Sequence, residues 1–116
     1  MVNKFQSLKS NREFQRVYQQ GRSKANRTFV MLTRENHSGV NRVGISVSKK
    51  VGNSVVRHRV TRIVRELMRL HWEDIRMGYD IVIVARKPAS DEPGYDKFES
   101  ALMHLLNLHH LIEEKD

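Results

Sequence analysis

Apolar residues recur along this chain at two different spacings, and the changes between them mark out its elements. Val56, Val60, Ile63, Leu67 and Leu70 advance by three or four residues at a time, which at about 100° per residue keeps them on one side of an α-helix. His58, Arg62, Arg65 and Arg69 follow the same rhythm on the opposite side. Asn53 or Ser54 can cap this helix through a side-chain oxygen, and the helix should stop before Gly78. Nearer the start, Ser10-Asn-Arg-Glu13 fits a capping box, which predicts a short helix from about Asn11 to Gln19, ended by Gly21 as a left-handed cap. Phe14, Val17 and Tyr18 share one face of it, so two aromatic rings lie side by side, as core or as an exposed pair. Before this helix, the residues up to about Lys9 read as an extended arm with Phe5 and Leu8 as its large apolar groups.

Elsewhere the period is two or absent. Ser23 to Arg34 contains the β-branched and apolar stretch Thr28-Phe-Val-Met-Leu-Thr33, and in Val40 to Ser48 the residues Val43, Ile45 and Val47 alternate with Gly44, Ser46 and Ser48. With turn chemistry at Glu35-Asn-His-Ser-Gly39 between them, these runs are expected to pair as an antiparallel hairpin. The face bearing Gly44, Ser46 and Ser48 leaves room either for close helix packing or for a ligand. Tyr79 to Ala85 lacks alternation and should be a central strand covered on both faces, with Pro88 ending its ladder. After a loop from Ser90 to Gly94, Phe98, Leu102, Leu105 and either Leu108 or His109 mark a last amphipathic helix, followed by a solvated tail, Glu113 to Asp116. Helix, strands, long helix, strand, helix is an α+β arrangement with helices packed on a small sheet.

Charge changes this picture more than composition does. The 116 residues suit one domain, 1–116, and carry 21 Lys and Arg against 13 Asp and Glu, a net charge of +8. That excess calls for a polyanionic partner, a nucleic acid or an acidic membrane surface. It is concentrated between Arg42 and Arg69. Within the long helix Arg57, Arg59, Arg62, Arg65 and Arg69 face a single acid, Glu66, so helical salt bridges do not account for them. A merely solvated face is the rival reading, but like charges at helical spacing repel unless something neutralises them. Cysteine is absent, which excludes disulfides and thiolate zinc sites. No apolar run approaches a membrane span and the first residues lack a signal core, so the expectation is a cytoplasmic protein without membrane attachment.

Autonomous catalysis finds no support in these patterns. The six histidines are not spaced as ligands, and Asp74, Asp80 and Asp91 stand near element ends without the clustering that two-metal chemistry needs. What remains is a phosphate-binding constellation: Lys49 and Lys50 at a strand end, the free N–H groups opening the long helix, and the arginines along it. Phe14 and Tyr18 could stack on unpaired bases if the first helix lies beside an open sheet face.

The segment Arg42-Val-Gly-Ile-Ser-Val-Ser-Lys-Lys-Val-Gly-Asn-Ser-Val-Val-Arg-His-Arg-Val-Thr-Arg-Ile-Val-Arg-Glu66 resembles the signature of the bacterial ribonuclease P protein subunit family. The likeness extends to Leu8-Lys-Ser-Asn-Arg-Glu-Phe-Gln-Arg-Val-Tyr18, Ala25-Asn-Arg-Thr-Phe-Val30 and Asp80-Ile-Val-Ile-Val-Ala-Arg-Lys-Pro-Ala89, in the same order. The resemblance implies a small mixed sheet in the order α-β-β-β-α-β-α with a left-handed crossover, and a protein that assists removal of the 5′ leader from precursor tRNA. It implies that catalysis and its Mg2+ ions belong to ribonuclease P RNA, with no cofactor bound by the protein alone. It assigns RNA contact to Arg57, Arg59, Arg62 and Arg65, with His58 where the family usually has Asn, Thr61 where it usually has Lys, and Arg69 as an additional cation. It assigns leader contact to Phe14, Tyr18, Lys50, Arg86 and Lys87, with Leu32 at a strand position often aromatic in relatives. The alternatives are a structural RNA-binding protein of ribosomal type and a metal-dependent nuclease acting alone. Oligomeric state is open.

Overall fold

Ile81-Val-Ile-Val84 offers no polar side to water, so a sheet can hold it only where both faces are covered. The computed structural model, which describes residues 6–90 and 94–112, places it there. In chain order the elements are β1 (Gln6–Ser7), α1 (Asn11–Gln20), β2 (Arg22–Ala25), β3 (Phe29–Glu35), β4 (Arg42–Ser46), α2 (Ser54–Leu70), β5 (Tyr79–Ala85) and α3 (Tyr95–Leu108), with 3-10 turns at Trp72–Asp74 and Lys87–Ser90. The strands form one mixed sheet ordered β1-β4-β5-β3-β2, in which central β5 runs parallel to β4 and antiparallel to β3. Parallel neighbours need a long connection, and α2 is that connection. From α1 to α3 the order is the one the resemblance implies. No described helix is long and apolar enough to cross a membrane.

The two sheet faces are unequal. Phe29, Met31, Val43, Ile81 and Ile83 point into the main core under α2 and α3, where Val60, Val64, Leu67, Phe98, Leu102 and Leu105 meet them. The other face carries only α1, and its buried cluster among the described residues is Leu8, Val17 and Val82, rimmed by Phe14, Leu32 and Val84. Capping follows the sequence: Ser10 and Glu13 complete the capping box of α1, and the Asn53 side chain accepts from the Val56 N–H to open α2.

Several expectations require correction. The runs 23–34 and 40–48 do not form a hairpin with each other. Turn chemistry shows that a chain reverses without choosing its neighbour, and β5, apolar on both faces, inserts between β3 and β4 and pairs with β3 from Phe29↔Ala85 to Glu35↔Tyr79. The first run is itself two strands, β2 and β3, turned at Asn26, whose side-chain oxygen accepts from the Thr28 and Phe29 N–H groups. Gly21 is not left-handed; its φ of −82° and ψ of 164° carry the chain straight into β2. It is glycine because a Cβ there would lie 2.5 Å from the Val17 carbonyl oxygen and 2.9 Å from that of Thr33. Leu70 is 61% exposed, while Val64 and Met68 are buried in its place, because the stripe facing the sheet is centred on Val60, Val64 and Leu67 and Leu70 falls at its margin. Of the expected arm, Gln6–Ser7 form the edge strand β1, paired parallel to β4, and Leu8 is buried. Within the expected loop, Ser90 ends the second 3-10 turn and Gly94 is the cap residue directly before α3, and Leu108 is 40% exposed. Phe5, Asp91 and the tail 113–116 lie outside the described residues.

His109, at the end of α3, fastens that helix to β3. Its Nε2–H donates to the Met31 carbonyl at 2.9 Å and its Nδ1 accepts from the Thr33 hydroxyl at 3.1 Å, which is the neutral tautomer. Burial, with Lys24 and Arg22 nearby, holds its pKa below the ordinary 6.5. A depressed folded-state pKa gives stability that is complete above the unfolded value and is lost as pH falls through the folded one. Thermal midpoints should therefore drop as pH is lowered below about 6.5, and His109→Gln should flatten that limb. An unchanged limb in the variant would show that other groups produce it.

Candidate nucleic-acid interface

Parallel pairing of β4 and β5, in register from Arg42↔Asp80 to Ser46↔Val84, makes the two strands end side by side. The chain leaving β4 carries Lys49 and Lys50, and the chain leaving β5 carries Arg86 and Lys87, all exposed. Cations separated by more than thirty residues in sequence thus emerge at one end of the sheet, where α2 also begins. Arg86 is partly committed, donating from Nη1 to the Asn26 carbonyl at 2.8 Å.

The apolar stripe of α2 is spent on the core, so its remaining side must face water. His58, Arg62, Arg65 and Arg69 are exposed there, while Arg57 and Arg59 flank them half-exposed. Neither Arg62 nor Arg65 has an ion-pair partner among the described residues. Val55, 74% exposed, joins His58, Arg59 and Arg62 around a shallow depression of about 450 Å³. Thr61 does not project with them: its hydroxyl donates to the Arg57 carbonyl at 2.8 Å, one turn back.

On the opposite face the sheet is only partly roofed. Val30, Leu32, Ser46 and Val84 are half-buried, whereas their neighbours Phe29, Met31, Ile83 and Ala85 on the core face are fully buried. Phe14 and Tyr18 overhang this floor with ring centroids 6.5 Å apart and planes tilted by 39°. They are not both core, since Tyr18 is 39% exposed. The absence of a side chain at Gly44 is what lets Phe14 down onto the sheet: a Cβ there would stand 2.5 Å from its Cζ. The small-residue face therefore serves close packing at Gly44 and stays open at Ser46.

The opposite end of this floor holds a group of residues that sequence spacing did not single out. Asp80, 1% exposed, receives two bonds from Arg42, Nε to Oδ1 and Nη2 to Oδ2, each 2.9 Å. Asn36 donates to the same carboxylate at 3.0 Å, and Arg34 lies 3.6 Å from it. The third guanidinium nitrogen of Arg42, Nη1, reaches Glu13 Oε2 at 2.6 Å, while Oε1 of Glu13 accepts from the Lys9 and Ser10 N–H groups. Those backbone bonds, with the hydroxyl of Ser10 and the charge of Arg42, hold the Glu13 carboxyl below its ordinary range; Asp80 raises the pKa of Arg42. The one sequence signal was a charged residue, Asp80, at the start of an otherwise apolar strand.

Two further histidines lie against other elements, His71 Nε2 at 2.8 Å from Glu99 of α3 and His104 Nδ1 at 3.3 Å from the Asn26 amide. Among the described residues no three His, Cys, Asp or Glu side chains converge on a point that could hold a metal ion. A larger groove of about 550 Å³ lies at the β2 edge, lined by Arg22, Lys24, Thr33 and His109 among others, and it touches the group around Asp80 only through Arg34.

The family model described as Ribonuclease P matches residues 2–109. The Ribonuclease P protein component of Lachnoclostridium phytofermentans is 50% identical over 111 residues, 96% of this chain and 95% of that one. The solved RNase P protein of Staphylococcus aureus, 39% identical, superposes with a TM-score of 0.87 over 95% of this chain and 100% of its own. That of Thermotoga maritima, 32% identical, does so at 0.82 over 94% and 99%.

Proposed function

The chain belongs to the ribonuclease P protein family, and from that membership we propose that it binds ribonuclease P RNA through the exposed side of α2 and the single-stranded 5′ leader of precursor tRNA in the cleft between α1 and the sheet. The observation that carries this reading is the division of labour between the two layers. The arginine side of α2 faces away from one sheet face; the aromatic overhang and half-open floor occupy the other. Guanidinium forks suit the consecutive phosphates of a structured RNA, and a single strand can lay its bases on Phe14 and Tyr18. Lys50, Arg86 and Lys87, gathered at the far end of the floor, would meet the leader's phosphates. His58 and Arg69 extend the arginine surface, and Thr61 contributes no donor to it. Bond cleavage and its Mg2+ ions belong to the RNA in this reading, and the protein lowers the electrostatic cost of bringing two polyanions together.

The test is cleavage of precursor tRNA by the cognate RNA at a Mg2+ concentration too low for the RNA alone. Adding the protein should restore removal of the leader. Failure to restore it would refute the proposal, and cleavage by protein freed of RNA would establish the stand-alone nuclease instead.

A further inference from the structure

Helix α1 is lightly held. The core under α2 and α3 contains twenty buried side chains among the described residues, whereas the cluster joining α1 to the sheet contains three: Leu8, Val17 and Val82. Phe14 and Tyr18 ride on this helix, so its tilt and height over the floor set the width of the cleft. So small an apolar contact is non-directional and leaves that tilt poorly defined. Direction comes from side-chain bonds at the two ends of α1: at the last residue Arg34 Nε donates to Gln20 at 2.8 Å, and at the start, next to Phe14, stands an ionic chain. Asp80 is fixed in the central strand, Arg42 grips it with two parallel bonds, and the remaining arm of the same guanidinium holds Glu13, the residue directly before Phe14. A planar fork transmits orientation in a way that a flexible ammonium does not.

We infer that Arg42 and Glu13 are positioning residues for the leader cleft, fixing α1 on the sheet so that Phe14 and Tyr18 stand at the right height for a single-stranded RNA. They act through the aromatic pair and do not touch the leader themselves. The inference rests on the cleft reading above, and the two can be separated. The Arg42–Glu13 link is partly open to solvent, with about a quarter of each side chain exposed. Its loss should therefore move the helix more than it weakens the fold.

Two variants isolate the link. Glu13→Gln keeps the capping box, which accepts Gln at this position, but turns an amide N–H2 towards Arg42. Arg42→Lys leaves a charge beside Asp80 but cannot span both carboxylates. Holoenzymes assembled with each variant are titrated with precursor tRNA bearing the leader and with mature tRNA lacking it, and the ratio of the two affinities is the readout. Each variant should reduce that ratio roughly fivefold, the lower end of what one stacked base contributes, while mature tRNA affinity and assembly with the RNA stay unchanged. Phe14→Ala is the reference. If it leaves the ratio intact, the cleft reading itself fails. If it lowers the ratio and both clamp variants do not, the positioning inference fails and the cleft survives. A further criterion comes from Glu13→Gln placed in a Phe14→Ala, Tyr18→Ala background. There it should cause no additional loss of the ratio, and a loss as large as in the parent would overturn the claim that Glu13 acts through the aromatic pair.

Discussion

Replacing Arg62 and Arg65 together by alanine should weaken binding of the cognate RNA about a hundredfold and flatten its salt dependence by about two units of slope. Both guanidinium groups are exposed on the outer side of α2 without an ion-pair partner among the described residues. A hydrogen bond to a charged group contributes about 1.5 to 3 kcal/mol, and solvent exposure favours the lower figure, roughly tenfold per arginine. Each phosphate neutralised adds close to one unit to the dependence of log K on log salt. Titrations across a series of salt concentrations measure both quantities at once. Since neither side chain is buried, thermal stability should stay within about 0.5 kcal/mol of the parent. A loss of affinity with an unchanged slope would mean that these arginines do not meet phosphates. Phe14→Ala should show the converse, full affinity for the RNA with an unaltered slope.

The second large effect lies in the core. Phe98→Ala should cost about 3 to 5 kcal/mol. The ring is fully buried on α3 and meets Phe29 of β3 edge to face, with centroids 5.4 Å apart and planes at 74°. Removing it opens a cavity between helix and sheet that neither rigid element can close. Domains of this kind are stable by only about 5 to 15 kcal/mol, so the loss is a large fraction of the total. At roughly 4 °C per kcal/mol the thermal midpoint should fall by about 12 to 20 °C. A shift of only a few degrees would show that α3 repacks over the gap. Below the new midpoint the salt slope for RNA should be that of the parent, because α2 keeps its outward face.

Local signals were sufficient wherever one element decides its own structure. The capping box at Ser10 and Glu13, the cap at Asn53, the stripe from Val56 to Leu67 and the unbroken apolar run of β5 each appear where their residues place them. They depend on hydrogen bonds and periods spanning a few residues. The same holds for the arginine side of α2, since burying one side of a helix exposes the other. Leu70 shows the margin of that logic, as a stripe's edge depends on how far the partner surface extends.

By itself, then, the sequence determined the helices, the central strand, the basic face and the family. Only the tertiary structure decided which strands are neighbours, because turn residues reverse a chain without selecting its partner, and β5 took the place beside β3 that β4 was expected to fill. That one choice brings Lys49 and Lys50 to the same end of the sheet as Arg86 and Lys87. It also sets Arg42 beside Asp80, within reach of Glu13 on α1. Such contacts join residues far apart in the chain and leave no periodic trace, so the clamp could be seen only once the sheet had placed its ends together.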